Sequence, residues 1–323
     1  MIRSRAIDLF CGAGGSSWGA QAAGVEIVAG FDMWNVAESV FKANFPKAKF
    51  YSGRLEDHKT NSIAGELGKI DLIMASPECT NHSVAKGNKP RCEKSRETAL
   101  QVIRFARSFK PRWLVVENVV SMKNWSRYEE FIHDIKSLGY KTFTQALNAA
   151  DFGVPQSRRR LFILCDLEKV PNPVQLPRRK RRKAIEIIDG NGRYQYSPLR
   201  TERRALATLA RADRAIADVG KKSSFLIVYY GTDHAGGWQR LDVPLRTITT
   251  LDRFAYVKPN GSGHVMRMLQ PEELKKAMGW PKSFKIDNGT RRDKIKMIGN
   301  AVCPPVMKSI IKTLADDIIV RKI

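Results

Sequence analysis

The segment from Asp71 to Ser83, DLIMASPECTNHS, contains the residue with the clearest chemical potential in the chain. Its apolar run, Asp71 to Ala75, has the length of a buried strand, and the proline-containing residues that follow end that strand abruptly. Cys79 therefore follows the carboxyl end of a predicted strand, the edge at which open α/β sheets bind ligands. A thiol there is a candidate nucleophile, and a buried thiol that only packs is the alternative.

A carboxylate follows another apolar strand, in the run Val115-Val116-Glu117-Asn118-Val119. Parallel strands bring Glu117 and Asn118 to the same edge of the sheet as Cys79. An unpaired charge is costly to bury, so a carboxylate at this position favours a functional role over packing. If it is held protonated, such a carboxylic acid can donate a hydrogen bond to a ring nitrogen.

Two arginines belong to a predicted hairpin. Its strands cover residues 140–148 and 156–164, and a turn covers Asp151 to Pro155. Because side chains alternate along a strand, Arg158 and Arg160 share one face. We expect both to point into the cleft that holds Cys79.

The first strand ends in a glycine-rich loop, DLFCGAGG, from Asp8 to Gly15. Glycines let the backbone approach a ligand, and the helix that follows favours polar or anionic groups at its N-terminus. Asp32 ends the second strand about 20 positions later, where such folds hydrogen-bond a ribose hydroxyl. The spacing favours a nucleoside cofactor. A nicotinamide dinucleotide would use the same geometry, and a purely structural loop is the other alternative.

These residues require an α/β sheet to position them. Strand-like and helix-like segments alternate through the first half, which predicts a mostly parallel sheet with helices on both faces. The clearest helix covers Ser95 to Phe109. The predicted strands are Ala6 to Phe10, Glu26 to Phe31, Ala48 to Tyr51, Asp71 to Ala75 and Trp113 to Val116. Glu56 and Asp57 follow the third strand, as candidate contacts for an adenine amino group.

The second half has a different composition. A six-residue basic run, Arg178 to Lys183, follows a proline-containing linker and suits phosphate contacts, although such runs are usually solvated. We predict a smaller mixed segment beyond it, with a helix over Glu202–Val219 and strands over Phe225–Tyr230 and Leu245–Thr250. The run GNAVCPPV, which begins at Gly299, precedes an apolar helix that extends to Ile319.

The composition limits the class of partner. The chain has 323 residues, with 56 Lys and Arg against 32 Asp and Glu, and its formal net charge of +24 favours a polyanion or an anionic membrane surface. No apolar stretch is long enough to span a membrane, and the N-terminus lacks the core of a signal peptide, so we expect a soluble, cytoplasmic protein. The five dispersed cysteines predict neither a disulfide framework nor a metal site.

Six motifs, taken in order, resemble those of bacterial and phage DNA cytosine-5 methyltransferases: DLFCGAGG, SPECTNHS, ENV, QSRRR, RTITT and GNAVCPPV. The resemblance implies a Rossmann-like, S-adenosylmethionine-dependent methyltransferase sheet with a smaller mixed target-recognition domain. The catalytic and cofactor-binding domain would cover residues 1–170, completed by residues 285–323. Residues 171–284 would recognise the target.

The resemblance also implies the catalytic roles. Cys79 would attack carbon 6 of cytosine, because carbon 5 of the aromatic ring is a poor nucleophile until a thiolate has added. Glu117 would protonate or hydrogen-bond N3, and Arg160 would hold the O2 edge with Arg158 and Asn118 in support. The target cytosine would be flipped out of double-stranded DNA. The basic segment Thr80–Arg96 is suited to closing over it.

By the same resemblance the cofactor is S-adenosylmethionine. Phe10, Gly12 and Gly14 would line its methionine end, Asp32 its ribose and Asp57 its adenine. Pro77 and Asn300 complete the implied cofactor set. One residue departs from the family pattern, because Glu78 stands where a second proline usually precedes the cysteine. A carboxylate close to the nucleophile would disfavour the thiolate.

Three other functions remain open from the residues alone: methylation of cytosine in RNA, a catalytically silent DNA-binding regulator, and nicotinamide-dependent oxidoreduction. The sizeable insert Asp166–Val243 favours reading of a DNA groove. A dinucleotide enzyme would leave the cysteine motif and the basic charge unexplained. We expect a monomer that acts on double-stranded DNA near the nucleoid, in a restriction-modification setting.

Overall fold

The computed structural model describes residues 4–78, 97–178, 180–230, 233 and 235–320. The first half forms a sheet whose strands are β1 Arg5–Leu9, β2 Glu26–Asp32, β3 Lys49–Ser52, β4 Leu72–Ala75, β5 Trp113–Asn118, β6 Lys141–Asn148 and β7 Arg159–Asp166. The strand order is β3-β2-β1-β4-β5-β7-β6. The pairs among β1 to β5 are parallel, and β7 pairs antiparallel with both β5 and β6. The carboxyl ends of the five parallel strands therefore meet at one edge.

Helices cover both faces of this sheet: α1 Gly15–Ala22, α2 Asn35–Asn44, α3 Thr60–Leu67, α4 Leu100–Phe109 and α5 Tyr128–Ser137. Strand β4 shows why its sequence is apolar throughout. Leu72 and Met74 enter one buried cluster, and Ile73 and Ala75 enter the cluster on the opposite face. A strand buried on both faces needs apolar residues at every position.

The structure confirms the five predicted parallel strands and the predicted hairpin. The helix expected from Ser95 begins at Leu100, after a short 3₁₀ turn over Glu97–Ala99. The hairpin turn contains another 3₁₀ segment, Ala149–Phe152. Strand β7 begins at Arg159 rather than at Gln156, because residues 155–157 pair with a different part of the chain.

A second sheet lies beyond the basic run. Its antiparallel strands are β8 Ser197–Pro198, β9 Phe225–Val228, β10 Trp238–Gln239, β11 Phe254–Asn260 and β12 Gly263–Met268, in the order β10-β9-β11-β12-β8. Helix α6, Leu206–Val219, packs on this sheet, and Phe225, Ile227 and Ala215 belong to the small core between them. The predicted helix over Glu202–Val219 is thus confirmed with a later start.

The strand predicted over Leu245–Thr250 is wrong. This segment makes one isolated parallel bridge, from Leu245 to Gln156. The Leu245 N–H donates to the carbonyl of Pro155 at 3.0 Å, and the Ser157 N–H donates to the carbonyl of Leu245 at 2.7 Å. Its sequence alternates as a strand would, but its backbone hydrogen bonds are made to residues 155–157, next to the hairpin of the first sheet.

The C-terminal part of the chain returns to the first sheet through helices α7 Pro271–Ala277, α8 Arg291–Asn300 and α9 Pro304–Val320. Two glycines of α1 allow this contact. A Cβ on Gly15 would lie 2.3 Å from the carbonyl oxygen of Val302, and one on Gly19 would lie 2.5 Å from that of Pro304. Among the described residues, no helix is long and apolar enough to cross a membrane.

Candidate active site

The loop after β1 and the end of β2 form the proposed cofactor side of the site. The Gly12 N–H donates to Oδ2 of Asp32 at 2.9 Å, and the Trp34 N–H donates to Oδ1 of the same carboxylate at 2.9 Å. Burial raises the pKa of Asp32, while these backbone donors favour its ionised form. The carboxylate is therefore fixed in orientation at the carboxyl end of the sheet.

The loop itself has an unusual backbone. Phe10, Gly12 and Gly14 have φ values of 57°, 50° and 87°, and a residue with a side chain rarely adopts such a conformation. A Cβ on Gly14 would lie 2.5 Å from the ring of Phe45, whereas a Cβ on Gly12 would meet no atom within 4 Å. Glycine is thus required at Gly14 by packing, and beside Gly12 the loop faces open space.

The other predicted cofactor residues are placed differently. Pro77 is buried at the end of β4, and its carbonyl accepts a hydrogen bond from Asn118. Asp57 is exposed in a 3₁₀ turn after β3, and Asn300 is exposed at the end of α8. In the described part of the chain, no hydrogen bond joins Asp57 or Asn300 to the loop after β1.

Glu117 lies at the end of β5 and is 6% exposed. Its Oε1 is 3.2 Å from Nε of Arg160, and its side chain also hydrogen-bonds Ser76. Burial raises the pKa of Glu117, and the charges of Arg160 and Arg158 and the bond to Ser76 oppose that rise. Because the raising effect of burial is the largest, the pKa of Glu117 lies above that of an ordinary glutamate.

Asn118 attaches the end of β4 to the end of β5. Its Nδ2 donates to the carbonyl of Pro77 at 3.1 Å, and its Oδ1 accepts from the N–H of Val119 at 2.8 Å. The hydrogen bond between Ser76 and Glu117 joins the ends of the same two strands. Ser76 and Pro77, two successive residues of the segment that leads to Cys79, are therefore attached to the end of β5. Cys79 itself, with the predicted closing segment 80–96, lies outside the described residues.

The two arginines line one cavity but make different contacts. Arg158 is 3% exposed and donates to the carbonyls of Ile248 at 3.0 Å and Gly299 at 2.9 Å. Arg160 pairs with Glu117 instead. Arg158 therefore joins three distant segments behind the site, while Arg160 is the arginine that contacts the proposed acid.

That cavity brings hairpin and C-terminal residues together. Its lining comprises Glu117, Arg158, Arg160 and Cys303 with the apolar residues Leu147, Ala149, Phe162, Val302 and Val306. Cys303 is buried, with its Sγ 3.8 Å from Sδ of Met278, and burial raises its pKa to about 11. A thiol in that state is protonated at neutral pH, which fits a packing role.

Sequence reasoning missed two buried polar residues near the site. Gln156 donates from Nε2 to the carbonyl of Ala277 at 3.1 Å and accepts at Oε1 from the N–H of Ile248 at 2.9 Å. Asp8, fully buried, accepts at Oδ2 from both the N–H and the hydroxyl of Ser17. Asp8 is a carboxylate within the apolar strand β1, which was a signal for it, and Gln156 precedes β7 in the run QSRRR.

Charged clusters elsewhere do not suggest a metal centre. Among the described residues, no group of three or more His, Cys, Asp and Glu side chains is arranged to hold a metal ion. The described cysteines, Cys11, Cys165 and Cys303, are buried free thiols.

Comparisons with known proteins agree on one family. The model of the C-5 cytosine-specific DNA methylase family matches residues 4–316. The type II methyltransferase M.HindV of Haemophilus influenzae is 28% identical over 306 residues, which cover 92% of each chain. The type II methyltransferase M.FnuDI of Fusobacterium nucleatum is 25% identical over 346 residues, covering 98% of this chain and 96% of that protein.

Solved structures share the fold at lower identity. The methyltransferase EhMeth of Entamoeba histolytica superimposes with a TM-score of 0.71 at 19% identity and covers 98% of this chain and 99% of its own. A variant of Spodoptera frugiperda DNMT2 superimposes with a TM-score of 0.70 at 18% identity and covers 96% of this chain and 99% of its own. These similarities confirm the α/β fold with its second, antiparallel sheet.

Proposed function

Because the chain belongs to the C-5 cytosine-specific DNA methylase family, we propose that it methylates carbon 5 of a flipped-out cytosine in duplex DNA through a covalent adduct with Cys79. Membership of this family implies that the protein methylates cytosine with S-adenosylmethionine. The observation that supports the finer mechanism is the buried Glu117, which contacts Arg160 and Ser76. The neighbouring Asn118 donates to the carbonyl of Pro77, so the segment that leads to Cys79 is attached to the end of β5.

The residues near the loop after β1 fit S-adenosylmethionine. The Asp32 carboxylate, oriented by two backbone N–H groups, keeps lone pairs that can accept from ribose hydroxyls. The open space beside Gly12 leaves room for the ligand to approach the backbone. Phe10, Gly12 and Gly14 would line the methionine end, with Asp57, Pro77 and Asn300 completing the set. When bound, the cofactor supplies an electrophilic methyl group.

Cys79 begins the reaction on the cytosine ring. Its thiolate forms a bond to carbon 6, and the electron pair of the C5–C6 double bond moves into the ring toward N3 and O2. Glu117 donates a proton or hydrogen bond to N3, and the Arg160 guanidinium stabilises the charge at O2. Preorganised donors of this kind contribute about 3–4 kcal/mol each in comparable sites.

The remaining steps restore the ring. Carbon 5 would gain the methyl group as the S–CH3 bond of the cofactor breaks and the cofactor leaves as its thioether. Carbon 5 would then lose its proton to a base, after which the C6–S bond breaks and Cys79 leaves as a thiolate. Asn118 and Arg158 act in support, because they hold Pro77, Ile248 and Gly299 in place around the acid. Extraction of the base from the stack costs a few kcal/mol, which contacts with DNA must offset.

The second sheet is proposed to recognise the target. Residues 171–284 include this sheet and its own small core, and the basic run precedes it. Residues 1–170 with 285–323 would form the catalytic domain. The contacts of α9 with α1 support this division, since they return the C-terminal part to the first sheet.

Nucleoside mass spectrometry tests the proposal. Mixed-sequence duplex DNA, and separately mixed-sequence RNA, is incubated with S-adenosylmethionine and the unaltered protein, Cys79→Ala, Glu117→Gln or the matched control Cys165→Ala. We expect 5-methylcytosine in DNA from the unaltered protein and the control, none with Cys79→Ala, and at least a hundredfold less with Glu117→Gln, a loss typical of a deleted transition-state donor.

The possible outcomes separate the alternatives. Turnover that persists in Cys79→Ala would refute the covalent mechanism. Methylation confined to RNA would show that RNA, rather than DNA, is the substrate. DNA binding without any methylation would indicate a catalytically silent regulator. Cys165 suits the control because it is buried in β7, away from the residues that line the cavity.

A further inference from the structure

Lys296 belongs to α8, and the segment that leads into this helix is seated on α2. Nδ2 of Asn44 donates to the carbonyl of Lys285 at 2.7 Å, and the Lys285 N–H donates back to Oδ1 of Asn44 at 2.8 Å. A Cβ on Gly289 would lie 2.7 Å from Cγ1 of Val36. Helix α8 is therefore held close to the start of α2, which directly follows Asp32.

The first turn of α8 is fixed as well. The Thr290 N–H donates to Oδ2 of Asp293 at 3.0 Å, and the Asp293 N–H donates to Oγ1 of Thr290 at 3.2 Å. Such reciprocal capping sets the start and direction of a helix. These contacts fix the backbone of α8, and therefore the point from which the Lys296 side chain extends.

Lys296 reaches the proposed ribose site across one aromatic residue. Its Nζ lies 4.4 Å from the centroid of the Trp34 ring, a cation–π distance. The N–H of Trp34 donates to the Asp32 carboxylate at 2.9 Å. The ammonium and the carboxylate therefore both contact Trp34, one at its ring and the other at its backbone N–H. The charge of Lys296 lowers the pKa of Asp32 against the larger effect of burial.

The other titratable groups that face Asp32 oppose Lys296. Asp8 on β1 and Asp32 act on each other as like charges, and the Cys11 thiol lies in the field of both carboxylates. On α8, Lys296 also interacts with the carboxylate of Asp293, which competes with Asp32 for its positive charge. Burial is the largest of these effects, so the pKa of Asp32 is raised. The backbone donors and Lys296 oppose that rise by favouring the ionised carboxylate.

This inference rests on the proposed function, in which Asp32 accepts hydrogen bonds from the cofactor ribose. We propose that Lys296 is a positioning residue for cofactor binding, which keeps the Asp32 carboxylate ionised and therefore a full acceptor. A protonated carboxyl has lost part of its acceptor capacity and presents a donor instead. Lys296 would thereby extend the pH range of cofactor binding toward acid, without contacting the reacting atoms.

Isothermal titration calorimetry with S-adenosylmethionine, from about pH 5.5 to pH 8.5, tests this role in the full chain without requiring turnover. Lys296→Met keeps an apolar side chain over Trp34 but removes the charge, and Lys296→Arg keeps the charge. Lys294→Met, on the same helix, is the matched control. We expect Lys296→Met to bind about two- to fivefold more weakly near pH 5.5, the effect of one partly exposed charge pair, with the difference shrinking toward pH 8.

The sign follows from the direction of the pKa change. Without Lys296 the pKa of Asp32 rises, so cofactor affinity begins to fall at a higher pH as the solution is acidified. Lys296→Arg and Lys294→Met should follow the unaltered protein. Asp32→Asn should bind more weakly throughout and lose the Asp32-dependent acid limb.

Two results would overturn the inference alone. One is an acid limb in Lys296→Met that coincides with that of the unaltered protein. The other is an equal loss of affinity at every pH, shared by Lys296→Arg, which would indicate a packing role on Trp34. If the unaltered protein fails to bind S-adenosylmethionine, the proposed function falls and takes this inference with it.

Discussion

Asp8 should make the stability of the protein fall as pH rises toward neutrality. Its side chain is fully buried at the end of β1, and Oδ2 accepts from the Ser17 N–H at 3.1 Å and the Ser17 hydroxyl at 2.6 Å. In the described residues Oδ1 has no hydrogen-bond partner. Burial raises the pKa of Asp8 from 3.8 to about 7, against the opposing effect of the two bonds from Ser17.

The sign follows from proton counting. Between pH 3.8 and about 7 the folded protein holds a proton on Asp8 that the unfolded chain releases. The stability contributed by the neutral carboxyl is therefore fully present below pH 3.8 and is lost as pH rises through about 7. Since one pKa unit corresponds to about 1.4 kcal/mol, the loss is on the order of 4 kcal/mol.

Urea denaturation, followed by tryptophan fluorescence at a series of pH values from about 5 to 8.5, measures this effect. The variant Asp8→Asn has nearly the same shape and cannot titrate. The quantity of interest is the difference in free energy of unfolding between Asp8→Asn and the unaltered protein, because the titrations of other groups cancel in it. We expect this difference to move in favour of Asn by about 3 kcal/mol between about pH 5 and pH 7, the part of the loss that falls within the measured range.

A difference that stays constant across this range would refute the reasoning, since it would mean that Asp8 has the same pKa in the folded and unfolded chains. Ser17→Ala provides a second check. Loss of the Ser17 hydroxyl removes a bond that lowers the pKa of Asp8, so the stability loss should extend to a higher pH. A shift toward lower pH in that variant would contradict the assigned hydrogen bond.

Three further perturbations test packing and charge. Arg267→Met leaves Glu273 buried without its bidentate partner, and urea denaturation should show a loss of about 3–5 kcal/mol. Gly15→Ala would place a Cβ 2.3 Å from a backbone carbonyl oxygen and should lower the free energy of unfolding by about 1–3 kcal/mol, whereas Gly65→Ala meets open space in α3 and should raise it slightly. Lys180→Gln, in the basic run, should reduce the slope of log K against log salt by about 0.9 for any DNA sequence if it contacts one phosphate, and fluorescence anisotropy at several salt concentrations measures that slope.

The first sheet could be predicted because its strands carry their own signal. Buried parallel strands are apolar at every position, and each ends where polar residues begin, as β4 does at Ser76. The same rule placed Glu117 and Asp32 at the functional edge. The alternation along the hairpin strand also predicted that Arg160 enters the same cleft. The contact of Lys296 with Trp34 could not be predicted, because α8 lies far along the chain from β2.

The second sheet was predicted less well, for two physical reasons. Strands β11 and β12 flank the two-residue loop Gly261-Ser262, a hairpin signal, but Pro259 within β11 argues against a strand at that position. The segment Leu245–Thr250 has the alternation of a strand without being one. Its backbone groups are engaged instead by residues 155–157, and this long-range competition is invisible to local patterns.

The return of the C-terminal part to α1 has a consequence for the order in which the protein matures on the ribosome. The Arg158 guanidinium donates to the carbonyl of Gly299, and the glycine face of α1 is covered by the backbone of Val302 and Pro304. While the first sheet emerges during synthesis, neither that hydrogen bond nor that covering contact can form. The cavity beside Glu117 is therefore completed only when residues 299–306 have been translated, so a nascent chain that stops short of them would have a sheet but no finished site.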